Sequence, residues 1–187
     1  MGRWEPNARG RLEQAALALF GERGYEQTTA AEIAKRAGLT ERTFFRHFAD
    51  KREVLFAGRG ALDELIVAAL ADVPATATPF DAAASALEAT TAMFEERRDF
   101  ARQRHAIVTA NPELRERELI KLANLAGALA GALRGRGVAD TAASLAAEVA
   151  ITVFRVAFEH WAEDADQHDL TWHIRESLGE LKAVTSA

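Results

Sequence analysis

Five side chains that can bond to an anion or a base edge fall within seven residues: Glu41, Arg42, Thr43, Arg46 and His47. Phe44, Phe45 and Phe48 are interleaved with them. An arginine such as Arg42 can grip a guanine edge through two parallel hydrogen bonds, and a glutamate such as Glu41 beside it can reach a base edge. Thr43, His47 and the nearby Lys51 suit phosphate oxygens, which fix register without reading sequence. That is nucleic-acid chemistry. A stretch this apolar would ordinarily be core, and one this cationic would ordinarily be solvated. Some element must turn the aromatics inward while the cations face out.

The flanking residues supply it. Thr29 and Glu32 have the spacing of a capping box, opening a helix that ends at Gly38. Thr40 is the next N-cap, with Leu39 and Phe44 placed as a hydrophobic staple. The pattern Thr29–Arg36, a glycine turn, then Thr40–His47 is a helix-turn-helix. Leu39, Phe44 and Phe48 recur at helical spacing and are expected to pin the second helix, leaving Glu41, Arg42, Thr43, Arg46 and His47 outward. Asp50 and Glu53 form another capping box, expected to open a long helix through about Leu70. Before this cluster a helix is expected over Ala8–Arg23, with Gly24 as its C-terminal cap.

The rest of the chain also reads as helix, and no stretch alternates with period two. Asp72–Pro79 (DVPATATP) is a clear break. Helices are expected near Phe80–Arg98, over Asp99–Thr109, and from Asn111-Pro112 to about Arg134. After the GRGVAD turn, Asp140 or Thr141 is the expected N-cap of a helix to about Glu163. In that helix Ser144, Glu148, Thr152, Arg155, Glu159 and Glu163 form one narrow polar stripe. A helix apolar over most of its circumference needs cover on more than one side. With the last helix, near Asp169–Ala183, it is expected to pair with a second copy as an intersubunit four-helix bundle. The candidate interface residues are Val149, Val153, Val156, Trp161, Ile174, Leu178 and Leu181.

Composition bounds the function. The chain has 187 residues, 49% hydrophobic and 27% charged, which suffices for a real core. It holds no cysteine, which excludes disulfides, zinc ribbons and thiol catalysis and fits a reducing cytoplasm. The N-terminal MGRWEPNARG lacks the apolar segment of a secretory leader, and no uninterrupted apolar run reaches membrane-spanning length. A soluble cytoplasmic protein with no membrane partner is the expectation. The net charge of -5 conceals an asymmetry. Residues 1–55 carry 10 Lys/Arg against 8 Asp/Glu, a net of +2, and residues 56–187 carry 13 against 20, a net of -7. The N-terminal part is the one suited to a polyanion.

The stretch GYEQTTAAEIAKRAGLTERTFFRHFADKREVLF, Gly24–Phe56, resembles the DNA-binding domain of TetR-type transcriptional regulators. It carries in order a G-[FY]-x-x-[TS]-[TS] start, I-A-x-x-A-G-[VL]-[ST], T-[LF]-[YF]-x-[HY]-F and K-x-x-[LV]. The resemblance covers about residues 10–56. It implies an all-α fold of about nine helices, with a three-helix helix-turn-helix domain at 1–55 and a ligand-binding and dimerisation domain at 56–187. It assigns base contacts to Glu41 and Arg42, and phosphate contacts to Thr29, Thr40, Thr43, His47 and Lys51. Phe45 stands where many members have a tyrosine whose hydroxyl holds a phosphate, and Arg46 is the candidate to compensate. The implied function is a homodimeric repressor of a palindromic operator on double-stranded DNA, released by a small-molecule effector.

By the same resemblance a small, largely apolar effector would sit among the later helices, lined by Phe94, Phe100, Ile107, Leu122, Leu125 and Phe154; residues so spaced also suit plain core. FFRHFADKREVLF with FRVAFEHW resembles a subgroup that takes acyl-CoA-like ligands. Arg97, Arg98, Arg102, Arg104 and His105 could meet an anionic ligand, or be solvated surface paired with Glu95, Glu96 and Asp99. His160–Asp169 holds two histidines and four acids, but no pair spaced to share a helix face, so a polar loop is expected and no metal or cofactor. The alternative is an all-α ligand-binding protein or enzyme without DNA binding. No G-x-S-x-G, P-loop or H-E-x-x-H supports the enzyme.

Overall fold

The computed structural model describes residues 7–186, without the side chain of Arg59. Residues 1–6 of the polar N-terminal segment, and residue 187, lie outside the described residues. Among the described residues there are ten α-helices and no strand: α1 Ala8–Arg23, α2 Ala30–Arg36, α3 Glu41–His47, α4 Arg59–Asp72, α5 Pro79–Glu88, α6 Thr91–Glu95, α7 Arg98–Ala110, α8 Pro112–Gly135, α9 Asp140–Glu163 and α10 Leu170–Thr185. A 3-10 turn occupies Glu53–Phe56. The chain divides into two compact units. One comprises the described residues through Arg59 with Gln103–Arg115; the other comprises Gly60–Arg102 with the described residues from Glu116 on.

In the first unit α1 packs on α2 and on the 3-10 turn, and α2 on α3. Leu12, Ala16, Leu19, Phe20, Ile33, Phe44 and Phe48 supply its core. Both ends of α1 lie where the sequence places them, and the Gly24 N–H closes the helix on the Phe20 carbonyl. The capping box at Thr29/Glu32 is complete. The long helix expected from Asp50 is not formed. Asp50 does accept the N–H groups of Arg52 and Glu53, but only the 3-10 turn follows. Gly58 then turns through φ +81° before α4 begins. That left-handed conformation cannot continue a right-handed helix. Residues 103–115 join this unit through Arg104, whose Nε donates to the Leu55 carbonyl at 2.6 Å, and through Glu113, which pairs with Arg52 at 2.7 Å.

In the second unit α9 packs against α5 and α10, and α6 touches α10. The expected helix Phe80–Arg98 is broken into α5 and α6, which accounts for the tenth helix. At the break the hydroxyls of Thr90 and Thr91 donate to the carbonyls of Leu87 and Glu88, three residues back, at 2.7 and 2.9 Å. Such local bonds draw the backbone away from the helical pattern. The N-cap of α9 is Ala139, not Asp140 or Thr141; Asp140 is the first helical residue and binds Arg134. Arg136 closes α4 by donating to the carbonyls of Leu70, Val73 and Pro74. By length and composition α9 could cross a membrane. It is instead the central helix of this unit, with Ala147, Ala157 and Trp161 fully buried.

Candidate nucleic-acid interface

The turn before α3 is fixed by three contacts. Gly38 has φ +68°, and its N–H meets the Lys35 carbonyl while Leu39 N–H meets that of Ala34. The Arg11 guanidinium reaches from α1 to donate to the Ala37 carbonyl. The backbone angle calls for glycine here, and a Cβ at Gly38 would stand 2.9 Å from Arg11 Nη2, pressing on the end of that flexible side chain. The Arg11 contact joins residues 26 apart, and no local pattern announces it.

On α3 the expected division of faces holds for most residues. Phe44 is 0% and Phe48 4% exposed, their rings 5.4 Å apart. Leu39 is half-buried. Glu41, Arg42 and Arg46 are exposed, and among the described residues neither arginine has an ion-pair partner. Phe45 is 52% exposed, held edge-on against Phe44 at 5.4 Å. Thr40 caps the helix by accepting the Thr43 N–H, and the two hydroxyls lie 3.0 Å apart. Thr29 is equally committed to its own cap: its hydroxyl and its N–H both bond to Glu32. The Thr29 N–H, then its hydroxyl, hold the Glu32 carboxyl below the ordinary glutamate value.

Two candidates sit differently. His47 is half-buried, and its Nε2 is enclosed with no hydrogen-bond partner, so the ring is not offered outward as expected. Lys51 lies over the Tyr25 ring at 4.2 Å and donates to the carbonyls of Tyr25, Glu26 and Thr28 at 3.0, 3.4 and 3.3 Å. An ammonium has three donors, and all are directed at the loop between α1 and α2. That loop presents Thr29. Nearby, burial opposes ionisation of Asp50, yet the Arg52 guanidinium and the N–H groups of Glu53 and Arg52 outweigh it and hold the carboxyl below the usual aspartate value.

In the second unit, Leu122, Leu125 and Phe154 belong to the core, and Phe94 packs against it. Phe94, Phe154, Phe158 and Trp161 form a chain of ring contacts 5.2 to 6.2 Å apart. Phe100 is half-buried beneath the Arg97 guanidinium at 4.1 Å. Ile107 belongs to the first unit. Arg98 is committed to Glu95 and to the carbonyls of Gln167 and His168, and Arg104 to Leu55, so neither is a spare cation for an anionic ligand.

The candidate interface residues divide. Trp161 and Ile174 are 0% and 2% exposed, and Trp161 Nε1 donates to Glu95 at 2.8 Å. They belong to this chain's own core, a correction to the sequence expectation, because an apolar stripe does not say which chain covers it. Leu178 packs against the same core, and Val149 is half-buried. Val153 is also buried, at 7% exposed, yet with the half-buried Val156 and Leu181 it borders a groove of about 500 Å³ between α9 and α10, with Trp172 and Val184 exposed along it. In the connection between these helices Asp164 and His168 come together with His173 of α10, which the spacing argument overlooked because it lies beyond the loop.

The family model for bacterial regulatory proteins of the tetR family matches residues 13–57, and the MftR C-terminal domain matches residues 77–186. The chain is 44% identical over 81 residues to the regulator TcmR of Streptomyces glaucescens, covering 43% of this chain and 36% of TcmR. It thus spans about a third of that relative's length. It is 25% identical over 167 residues to MftR of Mycobacterium tuberculosis (strain ATCC 25618 / H37Rv), named for regulating mycofactocin biosynthesis, covering 88% of this chain and 84% of MftR. SmeT in complex with triclosan superimposes with a TM-score of 0.67 at 20% identity, over 95% of this chain and 90% of SmeT. FadR of Bacillus subtilis in complex with stearoyl-CoA gives 0.63 at 20% identity, over 92% and 96%. These relatives are regulators rather than enzymes. The chain belongs to the TetR family of bacterial regulatory proteins.

Proposed function

We propose that this chain is a homodimeric repressor that binds a palindromic operator on double-stranded DNA and is released by a small, largely apolar effector. The observation that carries the reading is α3 itself. Its inner aromatics are anchored while Arg42, Phe45 and Arg46 stand exposed, the two cations without ion-pair partners among the described residues. A short helix so arranged suits the major groove, with Glu41 and Arg42 at base edges and Thr29, Thr40, Thr43 and Arg46 toward phosphates. Lys51 enters as a positioning residue for the Thr29 loop, and His47 as a side chain packed beneath the helix.

A second copy covers the α9/α10 groove, bringing Val153, Val156 and Leu181 into a four-helix contact. Two recognition helices would then read half-sites about one DNA turn, roughly 34 Å, apart. The effector enters among the later helices, beside the aromatic cluster of Phe94, Phe154 and Phe158. The likeness to an acyl-CoA-bound FadR favours an acyl-CoA-like ligand. Its binding shifts the population to a dimer whose recognition helices are wrongly spaced. Working on DNA, the protein acts in the cytoplasm. Selection of bound duplexes from a random pool tests the reading: the expected consensus is an inverted repeat, and recovery of no preferred sequence would overturn it.

A further inference from the structure

We propose that Asp164, His168 and His173 form a binding site for one divalent metal ion of the zinc class at the connection between α9 and α10. Asp164 ends α9, His168 lies in the connection, and His173 stands on the first turn of α10. Asp164 Oδ2 is 2.9 Å from His168 Nδ1 and 3.0 Å from His173 Nε2, and the three donor atoms lie within 4.8 Å of one another. Around a metal at 2.0 to 2.2 Å, tetrahedral donors stand roughly 3.4 Å apart and octahedral neighbours roughly 3 Å apart. Two edges of the triangle already fall near those lengths, and the third has to close from at most 4.8 Å.

Besides their bonds to one another, the donors are held by their surroundings. The Arg98 guanidinium donates to the carbonyls of Gln167 and His168, fixing the backbone that presents the imidazole. The His168 ring stacks on Trp172 at 4.2 Å and 20°. Asp164 Oδ1 accepts the Asp166 N–H, and Oδ2, facing the two rings, also accepts the His168 backbone N–H at 2.9 Å. The side chains of Asp164 and His173 are 10% and 8% exposed and that of His168 is 43% exposed. The site therefore has two donors in its floor and one at its rim. Two imidazoles and one carboxylate favour zinc, cobalt or nickel over magnesium or calcium, which take oxygen donors. A carboxylate only accepts, so without metal each ring donates an N–H to Asp164; the ion replaces those two hydrogen bonds, each ring then carrying its proton on the nitrogen remote from Asp164. Bound there, the ion would tie the end of α9 to the start of α10.

The test uses the full chain without an affinity tag. Titration with Zn2+ by calorimetry, and with Co2+ by visible absorption, is expected to give one equivalent per chain and a ligand-field band typical of nitrogen and oxygen donors. His168→Ala, a change at a largely exposed side chain, should weaken Zn2+ binding at least about tenfold, and so should Asp164→Asn. At one Zn2+ concentration the melting temperature of the unaltered chain should rise more than that of His168→Ala. The proposal is overturned if the unaltered chain shows no saturable binding or no ligand-field band, a result that needs no variant to fold. It is equally overturned if both variants bind like the parent.

Discussion

Gly38 and Arg11 should be energetically coupled, and the sign of the coupling follows from where the guanidinium lies. Gly38→Ala places a Cβ on a residue with φ +68° and 2.9 Å from Arg11 Nη2. The left-handed backbone costs an alanine about 1 to 1.5 kcal/mol. Displacing the guanidinium from the Ala37 carbonyl, a charged bond in a partly buried setting, costs about 1 to 2 kcal/mol more. Gly38→Ala is thus expected to destabilise by about 2 to 3.5 kcal/mol, and Arg11→Ala alone by at least about 1 kcal/mol. In Arg11→Ala the Cβ meets nothing, so the double variant should carry only the backbone cost beyond Arg11→Ala, about 1 to 1.5 kcal/mol. The cycle should fall short of additivity by about 1 to 2 kcal/mol. Any other interaction of Arg11 that survives the displacement appears in both arms and cancels. Urea unfolding of the four proteins measures the terms. Additivity to within about 0.5 kcal/mol would refute the placement of Arg11 over the turn.

Three further outcomes are expected. Lys51→Met should leave the salt dependence of DNA binding unchanged, whereas Arg46→Ala should lower the slope of log K against log salt by about 0.9 for each phosphate that Arg46 neutralises; an equal fall in Lys51→Met would return that residue to the phosphate set. Asp50→Asn should destabilise by about 1 kcal/mol near neutral pH, discounted toward the lower end of cap values because the side chain is partly exposed. Because the folded-state pKa of Asp50 is depressed, its contribution is present above the ordinary aspartate value and lost as pH falls through the folded value. The gap between variant and parent in melting experiments should therefore close below about pH 4. Val156→Glu, in the α9/α10 groove, should leave monomers in sedimentation analysis, while Trp161→Phe should lower stability and leave the dimer intact.

What could be read from the sequence was what local chemistry determines. The limits of α1, the Gly24 cap, the Thr29/Glu32 box and the two faces of α3 each depend on residues within one or two turns. The division of the outer face was legible for Arg42 and Arg46 because helical spacing alone turns them away from Phe44 and Phe48. The failures share a different cause. Lys51 faces carbonyls 23 to 26 residues earlier in the chain, a tertiary relation that no spacing encodes. His173 was overlooked for the same reason: its partner Asp164 belongs to another helix end. The α5/α6 break turned on two threonine hydroxyls whose rotamers decide whether they bond back to the helix. Gly58 interrupted the helix from Asp50 because a capping box marks where a helix can start, not how far it runs.

The proposed function rests on α3 reading base sequence. The direct measurement is the affinity of the full chain for its selected duplex and for a random duplex of equal length, at one physiological salt concentration, for the parent and for Arg42→Ala. The parent should prefer its selected sequence by about a thousandfold or more. Arg42→Ala should lose roughly 5- to 150-fold on the selected duplex while its binding to random DNA changes far less. Equal affinity of the parent for both duplexes, or a preference untouched by Arg42→Ala, would contradict the claim.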